Sequence, residues 1–380
     1  MNSKLKILFL ENEFIGRNSS GGVMTYMNNL TSYYQKEHLS YKWITCIDDA
    51  SKVQGIEKIA NRPVSNVSYV LRLFGWALMN RIDEDTIIHS NRADYLLPFI
   101  LFHRNVLRVC TVHGMHDFCF SMKKGKLLGF LYGIVYGFCI KKSHRIISVD
   151  EETTKKYMLK YKMGEREITT VPIGVDFNRF KPMDKLEAKS ALQLTSNVRY
   201  VVYIGRLEYE KNLMFLLEAY KALTDSVQDV CLLLIGSGSW KQRLQDRAKE
   251  LELQSVQFIN EVDYSEIPLW INASEMLVLC SLYEGSPTVI REALACNVPI
   301  VSLDVGDVSK VVSYIGSKYI SENNPDMFAS KMKEVLETSH PDFRSLITDY
   351  SADTMGANTI REYEKIAHRN ASKDIKLSSD

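Results

Sequence analysis

The chain alternates short runs of consecutive apolar residues with longer stretches of helical periodicity, and it does so in two series. Runs at 6–10, 42–47, 86–89, 107–112, 145–149 and 168–171 are followed, after a break, by runs at 199–204, 230–235, 256–259, 276–279 and 299–302. Apolar residues on successive positions mark strands covered on both faces, as in parallel sheets. Helical patterns lie between them, for example at 22–36, 212–223 and 239–251. The pattern predicts an α/β protein built from two doubly wound parallel sheets. A chain of 380 residues is too long for one ordinary core and suits two of similar size. The break spans 174–198, so an N-terminal domain over 1–180 and a C-terminal domain over 181–354 are expected. Residues 351–369 have helical character, and the tail 370–380 is polar.

Net charge is +1, which gives no reason to expect a nucleic-acid partner. Its distribution says more. Residues 1–180 hold 25 Lys and Arg against 17 Asp and Glu, while the remainder holds 22 against 29. A basic first half and an acidic second half fit different partners, or simple drift in surface composition. Seven scattered cysteines form no Cys-x-x-Cys pair, so neither a zinc site nor a redox motif is indicated. They read as small buried apolar residues in a reducing compartment. The opening Met-Asn-Ser-Lys-Leu-Lys-Ile-Leu-Phe-Leu has an apolar stretch of about four residues, too short for a signal peptide. It is expected to be a buried strand, and the protein to be cytoplasmic.

Five segments carry candidate chemistry. Ser19-Ser20-Gly21-Gly22 joins the first strand to the first helix, where backbone amides and the helix terminus can receive an anion; an ordinary turn would look the same. Gly205-Arg206-Leu207-Glu208-Tyr209-Glu210-Lys211-Asn212 follows the first strand of the second series. Strand ends are where open α/β sheets bind ligands, so Arg206 and Lys211 are placed to neutralise a diphosphate. Gly236-Ser237-Gly238 follows the next strand, but no Gly-x-Gly-x-x-Gly is present, which counts against a nicotinamide oxidoreductase.

The fourth segment is Glu284-Gly285-Ser286-Pro287-Thr288-Val289-Ile290-Arg291-Glu292. Gly285 and Pro287 break the chain, so Glu284 should lie on a loop and Glu292 in the first turns of a helix. Free amides at that helix start can hold a phosphate while the two carboxylates accept hydroxyl hydrogen bonds. The fifth is Thr111-Val112-His113-Gly114, where His113 ends a strand; His89, His116 and His144 are read as structural.

In this order these motifs resemble the GT4 family of retaining glycosyltransferases. The resemblance extends through Arg145–Val149, Val171-Pro172-Ile173-Gly174-Val175-Asp176 and Asp304-Val305-Gly306-Asp307. It implies the GT-B fold, with two Rossmann-like domains facing a central cleft and a C-terminal helix at 355–375 joining the first. It implies that Arg206 and Lys211 bind the donor diphosphate and that Glu292 holds ribose hydroxyls. It places Glu284 at the donor sugar and gives Thr288 and Val289 as phosphate-facing amides. Ser286 and Gly236 fall in the same donor-binding segments. His113 matches the histidine that contacts the donor sugar, and Gly21 and Gly22 the loop that closes over the phosphates.

The chemistry so implied is transfer from a UDP- or GDP-sugar with retention at the anomeric carbon, without cofactor or metal. Asp83-Glu84-Asp85 lies far from the donor motifs. The acceptor is expected to be a glycan or a lipid-linked glycan, in cell-surface polysaccharide or glycolipid synthesis. A non-catalytic binding subunit with the same fold is the alternative, against which the intact Glu284, Glu292, Arg206 and Lys211 speak. Three positions depart from the family pattern: Ile173 stands for a usual Asn, Lys310 for a frequent Glu, and Cys280 for a common Pro.

Residues 121–142 set a fourteen-residue apolar run between Lys123, Lys124 and Lys126 on one side and Lys141-Lys142 on the other. The run is short of the roughly 20 residues needed to span a bilayer. It reads either as a helix buried against the first sheet or as a basic, aromatic surface that makes peripheral contact with the inner face of a membrane.

Overall fold

The computed structural model describes residues 5–13, 22–47, 55–115 and 125–377, the side chains of 371–377 excepted. Gly21, His116 and the stretch 121–124 lie outside the described residues. The chain divides into two compact units, one containing 5–13, 23–172 and the C-terminal residues from 353, the other Gly22 and 173–352.

The first unit is built on a seven-stranded parallel sheet. Its strands are β1 (Lys6–Glu13), β2 (Ser40–Cys46), β3 (Ile56–Ala60), β4 (Thr86–Ser90), β5 (Leu107–Val112), β6 (Arg145–Ser148) and β7 (Ile168–Thr170), in the order β3-β2-β1-β4-β5-β6-β7. The winding reverses between β1 and β4, which pair directly, Lys6 opposite Thr86 through Leu10 opposite Ser90. Strands β4 and β5 are buried at every position, as consecutive apolar residues require. The helices are α1 (Gly22–Lys36), α2 (Asn66–Met79), α3 (Leu97–Phe102), α4 (Lys126–Lys142) and α5 (Glu151–Tyr161).

One face of the sheet carries α2 to α5, whose Leu73, Phe99, Ile140 and Tyr157 share a core with Leu8, Ile88 and Cys110. The C-terminal helix (Ala352–Leu377) belongs with α1 on the other face. There the Tyr34 hydroxyl donates to that of Tyr363 at 2.9 Å. Buried Arg145 and Glu362 form an ion pair at 2.6 Å.

The second unit has six parallel strands: β8 (Arg199–Ile204), β9 (Val230–Ile235), β10 (Val256–Ile259), β11 (Met276–Leu279), β12 (Ile300–Leu303) and β13 (Ile320–Ser321), ordered β10-β9-β8-β11-β12-β13. Its helices are α6 (Lys185–Ala191), α7 (Leu213–Thr224), α8 (Lys241–Glu250), α9 (Ile267–Asn272), α10 (Thr288–Ala295), α11 (Val308–Val312), α12 (Pro325–Glu337) and α13 (Phe343–Leu346). The winding reverses between β8 and β11, which are neighbours. The unit opens and closes at one place: Val175 bridges Ser351, and the Val175 amide donates to Tyr350 O at 2.8 Å. A Cβ on Gly174 would lie 2.5 Å from Ser351 O, so only glycine allows this approach. Among the described residues no helix is long and apolar enough to cross a membrane.

Candidate functional site

In the second unit the loops after β8 and β11 leave adjacent strands on either side of the reversal point, where open parallel sheets leave a crevice. The chain after β8 makes a 3-10 turn at Tyr209–Lys211, and Asn212 takes a left-handed conformation before α7. The two loops are stitched together. The Leu282 amide donates to Glu210 O at 2.9 Å, and the buried Cys280 thiol donates to Lys211 O at 3.3 Å. A proline at 280 would offer no such donor.

Stitching sets Lys211 Nζ 2.5 Å from Glu284 Oε1, with each side chain 16% exposed. The Ser281 hydroxyl donates to the same carboxylate oxygen at 2.7 Å. Arg206 is different: its side chain is 69% exposed and its guanidinium reaches Glu210 at 2.8 Å. One cation of the expected diphosphate pair is therefore held in a charged cluster, and the other stands in solvent.

Helix α10 begins at Thr288 after Pro287. Thr288 and Val289 thus occupy its first turn, where backbone amides have no partner within the helix. Glu292, one turn on, is buried beneath it. Burial pushes its carboxyl up to about 7, against hydrogen bonds from Tyr264 and Thr288 and the charges of Arg179 and Arg291, which pull it down. The Tyr264 hydroxyl donates to Glu292 Oε1 at 3.1 Å, and the Arg179 guanidinium lies 4.9 Å over the Tyr264 ring.

Ser286 has its hydroxyl engaged within the protein, donating to Asp307 at 3.0 Å and accepting from Arg291 at 2.9 Å. Arg291 is buried, ion-paired to Asp307 and stacked 4.7 Å over Tyr350. This cluster fixes the loop between Glu284 and α10 from below. Gly236 has a packing reason of its own: a Cβ there would lie 2.0 Å from Gly205 O, and one on Gly238 2.2 Å from Leu207 O. The two glycines let the loops after β8 and β9 run backbone to backbone. A pocket of about 470 Å³ opens beside Ser281, lined also by Leu303, Asp304, Val305 and Glu322.

The first unit carries its own polar group at its reversal point. His113, just after β5, places Nε2 3.1 Å from Asn91 Oδ1. The Asn91 amide donates to Glu11 Oε2 at 3.0 Å. With its NH2 on the carboxylate, Asn91 turns its oxygen to the imidazole, which fixes Nε2 as the protonated nitrogen. The Tyr26 ring packs edge-on to His113 at 5.0 Å. Gly22 is the exposed first residue of α1. His89 is structural: it is fully buried between Tyr363 and Thr111, and burial drives its pKa down to about 3. Motif reasoning missed Tyr264 and Arg179, which lie away from strand ends, and Asn91 and Glu11, which stand at the ends of β4 and β1 with no glycine beside them.

Two parallel-sheet α/β units, each with polar side chains gathered where its winding reverses, are the architecture of GT-B proteins. The model for glycosyl transferases group 1 matches residues 184–352, and that for glycosyltransferase family 4 matches residues 20–179. The chain belongs to the GT4-type glycosyltransferases of the GT-B fold.

It is 33% identical over 152 residues to a putative teichuronic acid biosynthesis glycosyltransferase, TuaC, of Bacillus subtilis, which is 40% of this chain and 36% of that one. It is 28% identical over 238 residues to the Escherichia coli UDP-Gal:alpha-D-GlcNAc-diphosphoundecaprenol alpha-1,3-galactosyltransferase, 60% of each. It is 22% identical over 377 residues to the alpha-monoglucosyldiacylglycerol synthase of Streptococcus pneumoniae, 90% of this chain and 84% of that one. The chain thus spans about a third and three fifths of the first two relatives. Among solved structures, sucrose-phosphate synthase from Thermosynechococcus elongatus superposes with a TM-score of 0.78 at 15% identity, over 96% of this chain and 99% of that one. Anabaena HepE, solved with UDP and glucose, superposes at 0.67 and 16% identity, over 99% and 100%.

Proposed function

We propose that the chain is a retaining, metal-independent hexosyltransferase. It moves a sugar from a UDP- or GDP-sugar to a glycan or lipid-linked acceptor at the cytoplasmic face of a membrane. The observation that carries this reading is the meeting of Lys211, Glu284 and the start of α10 at the reversal point of the second sheet.

A nucleoside diphosphate leaves with growing negative charge. Lys211, Arg206 and the first amides of α10 supply fixed positive charge to that leaving group. Glu292 accepts from the ribose hydroxyls, and Glu284 from hydroxyls of the donor sugar. His113, whose Nε2 proton is engaged by Asn91, is assigned to the donor sugar by the family resemblance alone. The acceptor hydroxyl adds to the anomeric carbon on the face from which the diphosphate departs and gives its proton to the departing phosphate oxygen, so no nucleophilic carboxylate is needed. The names of the E. coli and S. pneumoniae relatives, a diphosphoundecaprenol-linked sugar and a diacylglycerol, support a lipid-linked acceptor. The HepE complex with UDP and glucose supports a UDP-sugar donor.

A panel of sugar nucleotides with a crude lipid extract, read by nucleoside diphosphate release, tests the reading. Turnover with one donor, and a product of the donor's own anomeric configuration by NMR, are expected. No release and no calorimetric binding of any UDP-, GDP- or ADP-sugar would sink it. Binding without turnover would favour the non-catalytic subunit.

A further inference from the structure

Helix α4 is apolar all round. Tyr136, Cys139 and Ile140 are buried against the sheet. Leu127, Phe130, Leu131, Ile134 and Phe138 are exposed, Leu127 by 73% and Phe130 by 67%. At about 100° per residue these five fall on one stripe directly opposite the buried one. A helix of this kind needs a second apolar partner.

The exposed stripe continues onto its neighbours. Helix α3 packs against both α4 and α2 in the same layer, and α2 and α3 both leave large apolar side chains outside. Leu71, Leu78 and Met79 of α2 are exposed, as are Leu101 and Phe102 of α3. Phe102 packs edge-on to Phe74 at 6.0 Å, joining the two helices. The patch extends over three helices, more than scattered surface leucines produce.

Charge identifies the occupant. None of the three helices contains an Asp or Glu, while Arg72, Lys126, Lys141 and Lys142 belong to them. All four are exposed, with Lys141 and Lys142 flanking the apolar stripe at its C-terminal end. A second copy of the chain would bring the same cations face to face. An anionic lipid surface meets both halves of the pattern, taking the apolar side chains among its acyl chains and the ammonium groups among its phosphates.

We infer that the outer face of α2, α3 and α4 is a docking surface for an anionic phospholipid bilayer. The helix lies along the interface and does not cross it. This surface shares no residue with the proposed donor site.

The test is co-sedimentation of the full chain with vesicles of phosphatidylcholine alone and of phosphatidylcholine with phosphatidylglycerol. The wild type is expected to pellet with the anionic vesicles, less so at high salt, and to stay in solution with the neutral ones. Leu131→Glu combined with Ile134→Glu should abolish pelleting. Lys141→Glu combined with Lys142→Glu should weaken it by at least about tenfold, since each basic residue near the surface counts for roughly fivefold. All these side chains are exposed, so thermal melts should match the wild type.

Failure of the wild type to pellet with anionic vesicles would overturn the inference. So would a wild-type dimer in sedimentation velocity that the Leu131/Ile134 variant converts to monomer, because the occupant would then be a second copy. UDP affinity, measured on the same samples, reports the donor site separately. Vesicle binding without UDP binding refutes the donor reading alone, and the reverse refutes this one alone.

Discussion

Lys211 and Glu284 stand 73 positions apart and form an ion pair at 2.5 Å. Each is the other's main counter-charge, so a donor diphosphate entering the site must share Lys211 with a carboxylate already present. That carboxylate is also held by Ser281, which leaves the ammonium as the group free to turn toward a phosphate.

Lys211→Ala should therefore weaken UDP binding by about tenfold to a hundredfold, the worth of one charge-assisted contact. It should also lower stability by about 1–3 kcal/mol, because Glu284 is left partly buried without its cation. Glu284→Gln, which keeps the shape and removes the competing charge, should leave UDP affinity at or above wild type and depress turnover. Calorimetry and initial rates separate the two, and unchanged affinity in Lys211→Ala would remove this lysine from the donor site.

Glu292 makes the protein pH-dependent in a stated direction. Its folded-state pKa of about 7 lies above the ordinary 4.5. The folded state therefore holds a proton that the unfolded chain has lost, and stability falls as pH rises from 4.5 through 7. Glu292→Gln should lack this loss and melt above the wild type at pH 8, by on the order of 3 kcal/mol in stability. If ribose hydroxyls donate to this carboxylate, UDP binding favours the ionised form and releases a proton near pH 6.5. Calorimetry in buffers of different ionisation enthalpy would register that release. Its absence would place the ribose elsewhere.

His89 acts in the opposite sense. Its folded-state pKa of about 3 lies below the ordinary 6.5. The unfolded chain takes up a proton that the folded chain refuses, so stability is lost as pH falls from 6.5 toward 3, at up to about 1.4 kcal/mol per pH unit. His89→Gln should flatten that part of the melting profile. An acid limb equally steep in the variant would show that other groups control it.

The paired loops after β8 and β9 depend on having no side chain. Gly236→Ala should cost about 2–4 kcal/mol, since its Cβ would meet a backbone oxygen that cannot move aside. Gly133 of α4 has open space where a Cβ would go. Gly133→Ala should instead raise stability by about 0.5–1 kcal/mol. Urea melts of both variants check the contrast.

Most of the fold could be read from the chain because its central strands are buried on both faces and so apolar at successive positions. β3 and β13 escaped that signal: β3 is a half-buried edge strand and β13 only two residues long. The membrane-length argument at 121–142 left two readings of α4; Tyr136, Cys139 and Ile140 are buried as the first requires, and the opposite stripe is exposed. Within the donor segments the carboxylates and cations could be named, but their pairing could not. Lys211 meets Glu284 because β8 and β11 are neighbours, a fact of topology and not of local spacing. Tyr264 and Arg179 were invisible for the same reason, as both reach Glu292 only through tertiary packing.

The C-terminal helix has one further consequence. Tyr363 and Glu362 complete the first unit by closing over Tyr34, His89 and Arg145, yet the ribosome makes them after the whole of 173–352. The domain that begins first is therefore finished last. While the second unit is being synthesised, the buried histidine and arginine of the first wait with one side uncovered, and the nascent chain must keep that face from other partners until its own last helix arrives.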